Sequence, residues 1–258
     1  MIGDSVLTAV VWNNAPLSIL EDGFDVNMQV GVCRTLTGRS CPFEGTRVPT
    51  LVELVRTLGP QLGPNVVVEV GYNDPPDTFA QSVEQAVSAL LGAGVQRILW
   101  VNLHEWQPQY PAMNHVLDDA ARRHPEMTLL DWRTYSRNKW SWFQGDGIHL
   151  TYAGAVAMAT FLHDSVTEVL SPLAVAETTA PAATVGRPYD LTFTATGGIP
   201  SYRWSESGVR LRGLRLLASG RLYGTPTRAG RVSLQIRVTD SFGYTASRRL
   251  VLVVQPKL

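Results

Sequence analysis

The 258-residue sequence has few cysteines, no long apolar segment and a modest share of charged side chains. No stretch approaches the roughly 18 uninterrupted apolar residues of a transmembrane helix, and the first residues have neither the basic nor the apolar region of a signal peptide. Charged residues make up 17% and hydrophobic residues 45% of the chain, which excludes a disordered protein, a coiled coil and a collagen-like repeat. We therefore expect no membrane span and a chain long enough to bury a core.

Cys33 and Cys41 are the only cysteines, and they lie in a loop rich in glycine, arginine, threonine and serine. We favour a local disulfide in an exported protein, because a covalent link stabilises a short loop and persists in oxidising compartments. Two free thiols are the alternative. No Cys, His, Asp or Glu residues cluster with the spacing of metal ligands, so we expect no metal and no cofactor.

Positive and negative charges balance overall but are distributed unevenly along the chain. Residues 180–258 contain twelve arginines or lysines and three acids, whereas residues 1–179 carry an excess of acids. Such a division is typical of two modules with different electrostatic partners. The basic part is a candidate for binding an anionic cell-wall polymer, and the alternative is that its arginines are solvated surface residues. We expect no nucleic-acid partner.

Short apolar runs alternate with helical periodicity between residue 49 and about residue 170. The runs at 65–70, 97–102 and 127–131 are typical of buried strands, and the segments between them have the apolar spacing of amphipathic helices. Repetition of strand and helix predicts an α/β domain in which helices cover both faces of a parallel sheet, a three-layer α/β/α arrangement. In such a sheet, ligands bind beyond the carboxyl ends of the strands.

The sequence changes character after Leu173. Residues 174–181 are rich in Ala, Thr and Pro and are predicted to be a linker, although a lead-in strand is the alternative over 174–186. Residues 182–258 contain short alternating runs separated by Gly/Pro turns, which predicts a small all-β sandwich. The predicted organisation is an α/β domain over 1–173, a linker and a β-sandwich domain.

Three short polar strings stand where the α/β pattern places a binding site, after strands or before the last helix. They are Gly3-Asp4-Ser5, Gly71-Tyr72-Asn73-Asp74 and Asp146-Gly147-Ile148-His149. Each string alone is a weak signal, because a fixed three-residue match often occurs by chance. Their joint occurrence in this order is a much stronger one.

The strings contain the residue types that acyl transfer through a serine requires. Ser5 needs a base to become a nucleophile, and histidine, here His149, is the side chain that exchanges protons near neutral pH. Asp146 can hold the tautomer of His149 that directs Nε2 at the serine. Asn73 can donate its amide to a developing oxyanion, with main-chain N–H groups of Ser5 and of the Gly31-Val32 turn. The structural alternatives are a helix N-cap for Ser5, a packed histidine, and turn formers for the others.

On these residues, the first 170 or so positions resemble the SGNH hydrolases, also called GDSL esterases/lipases. The resemblance implies a flavodoxin-like three-layer α/β/α fold, a catalytic triad of Ser5, Asp146 and His149, and Asn73 in the oxyanion hole. The string DGIHLT, with the tryptophan-rich run before it, is similar to the SGNH domains of bacterial peptidoglycan O-acetyltransferases.

Two features depart from the family pattern. The family's oxyanion-hole glycine is matched only loosely, by Gly31 in the string VNMQVGVCR. In addition, only Met1 and Ile2 precede Gly3, whereas family members place the serine at the end of a longer central strand. The sequence therefore predicts either a truncated or a shortened first strand.

His104, Trp106 and Trp142 are further candidates for lining a substrate pocket. His104 and Trp106 follow the predicted strand at 97–102, at the end where ligands bind. Trp142 lies in the tryptophan-rich run before Asp146. Packing is the alternative for each, because buried aromatic residues pack more often than they bind.

The segment from about residue 180 to residue 258 resembles the Ig-like domains repeated in bacterial surface proteins. The resemblance rests on Gly197–Trp204, Gly213-Leu214, Gly220–Pro226 and Thr239–Gly243. It implies a β-sandwich that acts as a spacer or adhesive module and carries no catalytic residue.

We therefore expect a serine esterase that removes acyl groups, acetyl among them, from a small-molecule or polysaccharide ester of carbohydrate, cell-wall or lipid type. An O-acyltransferase that moves acetyl groups to cell-wall polysaccharide uses the same chemistry and is the first alternative. A noncatalytic wall-binding protein is the second. The expected location is secreted or at the cell surface of a bacterium.

Overall fold

The structure is a computed structural model that describes residues 1–198, 201–208, 212–241 and 243–257. It divides into two compact units, Met1–Val166 and Thr167–Leu258, which are described separately below. Two of the Ig-like motifs named above extend outside the described residues, since positions 199, 200 and 242 belong to them.

A parallel sheet forms the centre of the first unit. The strands of this unit are β1 (Ile2–Gly3), β2 (Gln29–Val30), β3 (Pro42–Phe43), β4 (Thr46–Arg47), β5 (Asn65–Glu69), β6 (Arg97–Val101) and β7 (Met127–Leu130). Strands β3 and β4 form an antiparallel hairpin, and the other five form the sheet in the order β2-β1-β5-β6-β7. This is the strand order of flavodoxin-like folds, and it confirms the predicted parallel α/β architecture.

Helices connect these strands. They are α1 (Thr8–Val11), α2 (Asn14–Glu21), α3 (Leu51–Leu58), α4 (Phe79–Gly92), α5 (Tyr110–Arg123), α6 (Trp132–Tyr135) and α7 (Tyr152–Leu170), with 3₁₀ turns at Gly59–Leu62 and Trp140–Trp142. Among the described residues, no helix has the length and apolar character required to cross a membrane.

The core of the first unit lies between the sheet and its helices. Val66 and Val68 in β5 and Ile98 in β6 are buried, as expected for strands covered on both faces. Helix α4 contributes one apolar stripe, as amphipathic helices do. The stripe consists of Phe79, Val83, Ala86, Val87 and Leu90.

Strand β1 is only two residues long, yet it lies in the middle of the sheet. Ile2 pairs with Gln29 of β2 on one side and with Val68 of β5 on the other. The main-chain N–H of Asp4 then donates to the carbonyl of Glu69 at 2.9 Å. Because both neighbours hold it, a shortened strand is sufficient to place the residues that follow.

The second unit consists of β-strands. These are β8 (Ala174–Val175), β9 (Ala183–Thr184), β10 (Tyr189–Thr192), β11 (Ala195–Thr196), β12 (Arg203–Gly208), β13 (Leu214–Leu216), β14 (Arg221–Gly224), β15 (Gly230–Thr239) and β16 (Thr245–Gln255). They form sheets β12-β15-β16-β9 and β10-β14-β13 and the pair β8-β11. Trp204, Leu222 and Ile236 lie in one core shared by the two larger sheets, as the all-β prediction requires.

Residues 174–181 differ from the predicted linker. Ala174–Val175 forms β8, which pairs with β11, and Val175 is buried in the core of the second unit. The Ala/Thr/Pro-rich segment therefore begins with a lead-in strand. A strand of two residues is too short to show an alternating pattern, which explains the difference.

Candidate active site

Ser5 lies immediately after the short central strand, and it is half-buried. Its carbonyl accepts hydrogen bonds from the main-chain N–H and the hydroxyl of Thr8, at the beginning of α1. The N-cap residue of α1 is Leu7, so Ser5 is not the cap of this helix. The Ser5 Oγ atom instead lies 3.0 Å from Nε2 of His149.

The turn from Asp146 to His149 fixes the imidazole. Oδ1 of Asp146 accepts the main-chain N–H groups of Ile148 and His149 at 2.9 and 3.0 Å, and Oδ2 lies 2.6 Å from His149 Nδ1. Gly147 has a φ of +68°, and a Cβ atom there would lie 2.3 Å from the Trp106 ring. The turn therefore requires glycine at position 147. The Asp146 carboxylate fixes both the main-chain path of the turn and the orientation of the His149 imidazole.

Ser5, His149 and Asp146 form a continuous chain of contacts with the geometry of a Ser-His-Asp triad. Partial burial opposes ionisation of Asp146, but hydrogen bonds from His149 and Ile148 lower its pKa, so the carboxylate is charged at neutral pH. The side chains of His149 and Asp146 are 41% and 46% exposed, so a substrate can approach from solvent. Among the described residues, no three His, Cys, Asp or Glu side chains are placed to hold a metal ion.

Asn73 follows β5, and its side chain contacts Asp4, the residue before Ser5. Its Nδ2 atom donates to Asp4 Oδ2 at 3.3 Å and to the carbonyl of Arg34 at 3.2 Å. Both distances are at or beyond the long end of the range for N–H···O hydrogen bonds. The main-chain N–H of Ser5 has no acceptor within the part of the chain that the structure describes.

Gly31 does not present its main-chain N–H to the site. That N–H donates to the carbonyl of Gly3 at 3.0 Å, which extends the ladder between β2 and β1. The prediction that Gly31 donates to the oxyanion is therefore wrong, because strand pairing already uses its donor. Val32, in the same turn, has a main-chain N–H without an acceptor among the described residues.

Two buried carboxyl groups that were not among the sequence predictions lie beside Ser5. Asp4 and Glu69 are fully buried, and Oε2 of Glu69 has no hydrogen-bond partner among the described residues. Burial raises the pKa of Asp4 to about 6; burial and the Asp4 charge together raise the pKa of Glu69 well above its ordinary value. The pair therefore holds protons to a higher pH than two free carboxyl groups do. An acid within the apolar run 65–70 was the available sequence signal, since buried strands rarely contain one.

The loop after β2 is held by a disulfide and a buried arginine. Cys33 and Cys41 form the disulfide. Arg34 is 3% exposed and donates from Nε to the Gly3 carbonyl at 3.2 Å and from a terminal nitrogen to the Pro49 carbonyl at 2.7 Å. These contacts attach the loop to the strand that precedes Ser5.

His104 is packed in the interior and does not line an open pocket, which corrects its sequence assignment. It is 4% exposed, its Nδ1 lies 2.8 Å from Ser136 Oγ, and its ring stacks on Phe143 with centroids 4.0 Å apart. Burial lowers the pKa of His104 and so favours the neutral ring. Because Phe143 precedes Asp146 by three residues, His104 packs against the segment that leads into the Asp146–His149 turn.

Trp106 and Trp142 have different surroundings. Trp106 is 47% exposed, its ring covers Gly147, and it makes an edge-to-face contact with Trp140 at 5.4 Å. Trp140, which belongs to the same tryptophan-rich run as Trp142 and was a pocket candidate with it, is 57% exposed. Trp142 stacks on the buried ring of Trp132. Trp106 therefore adjoins the catalytic turn, whereas Trp142 belongs to an aromatic packing cluster.

Comparisons with known proteins found a family match for the second unit and several similar proteins. Residues 171–255 match the family model described as "Putative Ig domain". Two proteins of Staphylococcus aureus, "Putative O-acetyltransferase SAS0844" of strain MSSA476 and "Putative O-acetyltransferase SACOL0978" of strain COL, are each 33% identical to this chain over 93 residues. The match covers 36% of this chain, and it spans only 15% of the length of these relatives.

Among solved structures, a serine-to-alanine mutant of an acetyl esterase, with acetate ion, aligns with a TM-score of 0.46 and 11% identity. The alignment covers 64% of this chain and 94% of that chain. The chain thus combines a parallel α/β unit and an Ig-like domain, and part of it is similar to proteins described as putative O-acetyltransferases.

Proposed function

We propose that the first unit is a serine acyl-transfer enzyme that hydrolyses ester-linked acyl groups, acetyl among them, on a carbohydrate or cell-wall substrate. One observation carries the proposal: Ser5 Oγ lies 3.0 Å from His149 Nε2, and His149 Nδ1 lies 2.6 Å from Asp146 Oδ2. Ser5 follows β1 and Asn73 follows β5, so the site lies at the switch point where open α/β sheets bind ligands.

The contacts support a two-step reaction. Ser5 Oγ attacks the acyl carbonyl while His149 accepts the hydroxyl proton, and His149 then gives that proton to the leaving alcohol. In the second step His149 removes a proton from water, whose oxygen attacks the acyl-serine; His149 then returns that proton to Ser5 Oγ as the acyl–oxygen bond breaks and the carboxylic acid leaves. Asp146 keeps the imidazole in the required tautomer throughout.

The tetrahedral intermediate requires donors for its negative oxygen. The main-chain N–H of Ser5 and the amide of Asn73 are the donors that we assign, and a donor of this kind lowers the barrier by about 2.7–4 kcal/mol. The Asn73 amide presently makes two long contacts, to Asp4 and Arg34. A charged oxygen accepts a stronger hydrogen bond than a carbonyl, so the oxyanion can replace one of these acceptors.

Two observations favour an ester carried on a bulky, hydroxylated molecule, and a third concerns the acyl group. The half-exposed side chains of His149 and Asp146 do not require the substrate to be enclosed. The exposed rings of Trp106 and Trp140 adjoin the catalytic turn, and tryptophan offers an apolar face with a polar edge. The S. aureus relatives are described as O-acetyltransferases, which supports acetyl as the acyl group.

An O-acetyltransferase is the second candidate function, and the same relatives favour it. In that reaction a sugar hydroxyl replaces water in the second step. Incubation with an acetyl donor and an oligosaccharide acceptor distinguishes the two functions. Acetylated oligosaccharide as the main product indicates a transferase, and free acetate as the main product indicates an esterase.

The substitution Ser5→Ala tests the nucleophile. We expect hydrolysis of p-nitrophenyl acetate to fall by at least about 10³-fold, because the acyl-enzyme can no longer form. Labelling by a fluorophosphonate should disappear as well. Ser18→Ala, at an exposed position of α2, is the matched control and should keep both properties.

Two outcomes would contradict the enzyme proposal. One is an equal rate for wild type and Ser5→Ala, and the other is a fluorophosphonate adduct at a residue other than Ser5. Either would favour a noncatalytic wall-binding function.

We further propose that the protein acts outside the cytoplasm, secreted or at the surface of a bacterial cell. The Cys33–Cys41 disulfide supports this location, because disulfides persist in oxidising compartments. Cell fractionation combined with thiol alkylation tests it. Protein found in the cytoplasm with both thiols free would contradict the proposal.

A further inference from the structure

One face of the sheet β12-β15-β16 carries a group of exposed arginines. Along β15, Leu234 and Ile236 point into the core, so residues with odd numbers point outward, since successive side chains of a strand alternate. The outward residues include four arginines, all of them exposed. We call the surface defined by Arg203, Arg231, Arg237 and Arg249 the arginine face.

The strand register aligns three of these arginines. Arg203 of β12 lies opposite Thr239, two residues from Arg237 on β15. Arg249 of β16 lies two residues from Ser247, which is directly opposite Arg237. Diagonal neighbours of this kind have Cβ atoms about 7–8 Å apart. Arg203, Arg237 and Arg249 therefore form an oblique row across three strands.

Within the described strands, the row has no acidic neighbour on its own face, although Asp240, just after β15, lines a cavity together with Arg203. Among the described outward residues of β12, β15 and β16 there is no Asp or Glu, and Glu206 has the opposite orientation, opposite Ile236. On the other sheet, by contrast, Arg221 is paired with Asp190. Cations about 8 Å apart are only partly screened at physiological ionic strength, so a chain of anions along the row would relieve their repulsion.

The remaining side chains of the arginine face indicate the chemistry of the ligand. They are mostly hydroxyl and amide groups, from Ser205, Ser207, Ser233, Gln235 and Ser247. Such groups match the hydroxyls of a polyol or sugar. The described outward residues include no aromatic ring, whereas proteins that bind single-stranded nucleic acid stack the bases on aromatic side chains.

We propose that the arginine face binds a linear polyol-phosphate polymer, with Arg203, Arg237 and Arg249 each contacting one phosphate of successive repeats. In a glycerol-phosphate chain six single bonds separate neighbouring phosphorus atoms, and six bonds span roughly 7 Å when extended, as two peptide residues do. This repeat agrees with the spacing of the row. Guanidinium groups form paired hydrogen bonds with phosphate oxygens.

The cationic surface continues beyond the row. Arg231 belongs to the arginine face and also lines a cavity of about 350 Å³, together with Arg212 and Arg228. The cavity has apolar walls that include Leu252 and Val254, and its lining contains no acid. Arg231 therefore connects the arginine face to this second group of arginines.

Titration of the full chain with a glycerol-phosphate polymer, followed by calorimetry, tests the proposal. We expect wild type to bind and Arg237→Gln with Arg249→Gln to bind about tenfold more weakly, since each exposed charge contact contributes modestly. Arg215→Gln with Arg221→Gln removes the same charge from the other sheet and should change the affinity by less than about twofold. Neutral dextran should not bind.

Salt dependence and competing polymers complete the test. Affinity of wild type should fall about tenfold between roughly 50 and 200 mM salt, and the fall should be smaller for Arg237→Gln with Arg249→Gln. Equal weakening by both pairs of substitutions would show that net charge alone attracts the polymer, and would overturn the proposal. Tighter binding of an oligothymidylate of equal charge would assign the face to nucleic acid and overturn it as well.

Discussion

At the scale of single residues, two carboxyl groups beside Ser5 are buried at a cost in folding free energy that the exposed Asp146 does not incur. Asp4 and Glu69 are fully buried, whereas the triad's Asp146 is half-exposed. A buried carboxylate loses hydration, so both pKa values in the pair are raised. The raised pKa of Asp4, about 6 compared with 3.8 for the free side chain, means that the folded protein holds protons that the unfolded chain releases. The free energy of unfolding therefore falls as the pH rises from about 3.8 to about 6.

Glu69→Gln should flatten this pH dependence. A glutamine amide can donate to an ionised Asp4, so the variant no longer has to bury a second acid. We expect its free energy of unfolding to exceed that of wild type by roughly 1–3 kcal/mol at about pH 8, and to equal it at about pH 4. Urea unfolding at several pH values measures the difference. Exposed Glu21→Gln is the control, and an equal loss of stability by Glu69→Gln at every pH would refute the interpretation.

The residues of the site differ in how well the sequence predicts them. Asp146 and His149 are three positions apart, and a tight turn alone brings their side chains together. Glu69 and Arg34 have no such local partner. Both contact Gly3, the strand residue two positions before Ser5, and this contact places them beside the site. The burial of His104 depends on Phe143 and Ser136, which come from other segments of the chain.

At the scale of elements, the beginning of α3 joins a helix to the disulfide loop. Thr50 and Glu53 form a capping box, with each side chain accepting the other's main-chain N–H. The next donor, Leu51 N–H, binds the carbonyl of Thr35 inside the loop. Val52 N–H binds the carbonyl of Leu36 in the same way. The helix start therefore satisfies its own free donors and anchors the loop with them.

Thr50→Ala should weaken this junction. Loss of the cap leaves the N–H of Glu53 without its acceptor, and we expect the free energy of unfolding to fall by about 1 kcal/mol. Thr57→Ala, which removes an exposed hydroxyl bonded within the same helix, should change it by less than about 0.5 kcal/mol. Chemical denaturation of the two variants makes the comparison. Equal effects would mean that the cap has no special contribution.

At the scale of the whole molecule, the two units differ in composition as well as in fold. The parallel sheet of the first unit places polar groups at its switch point, while the antiparallel second unit places arginines on one outer face. The uneven charge of the sequence follows this division. We interpret the difference as two separate chemical tasks, acyl transfer in one unit and polyanion binding in the other.

Ser5→Ala protein should separate the two tasks. The substitution removes the nucleophile, so hydrolysis of p-nitrophenyl acetate should be lost while the affinity for a glycerol-phosphate polymer stays within about twofold of wild type. Activity assays and calorimetry on the same preparation measure both. Loss of polymer binding in Ser5→Ala would place the polymer in the acyl-transfer site instead.

The sequence by itself determined the alternation of strands and helices, the all-β second unit and the turn that joins Asp146 to His149. These depend on interactions between residues close in the chain, which spacing and turn chemistry reveal. Tertiary structure alone decided that Ser5 meets His149 across 144 positions, that pairing consumes the Gly31 N–H, and that three arginines share an oblique row. Each of these depends on strand register and on packing between distant segments, because only those bring the atoms within bonding distance.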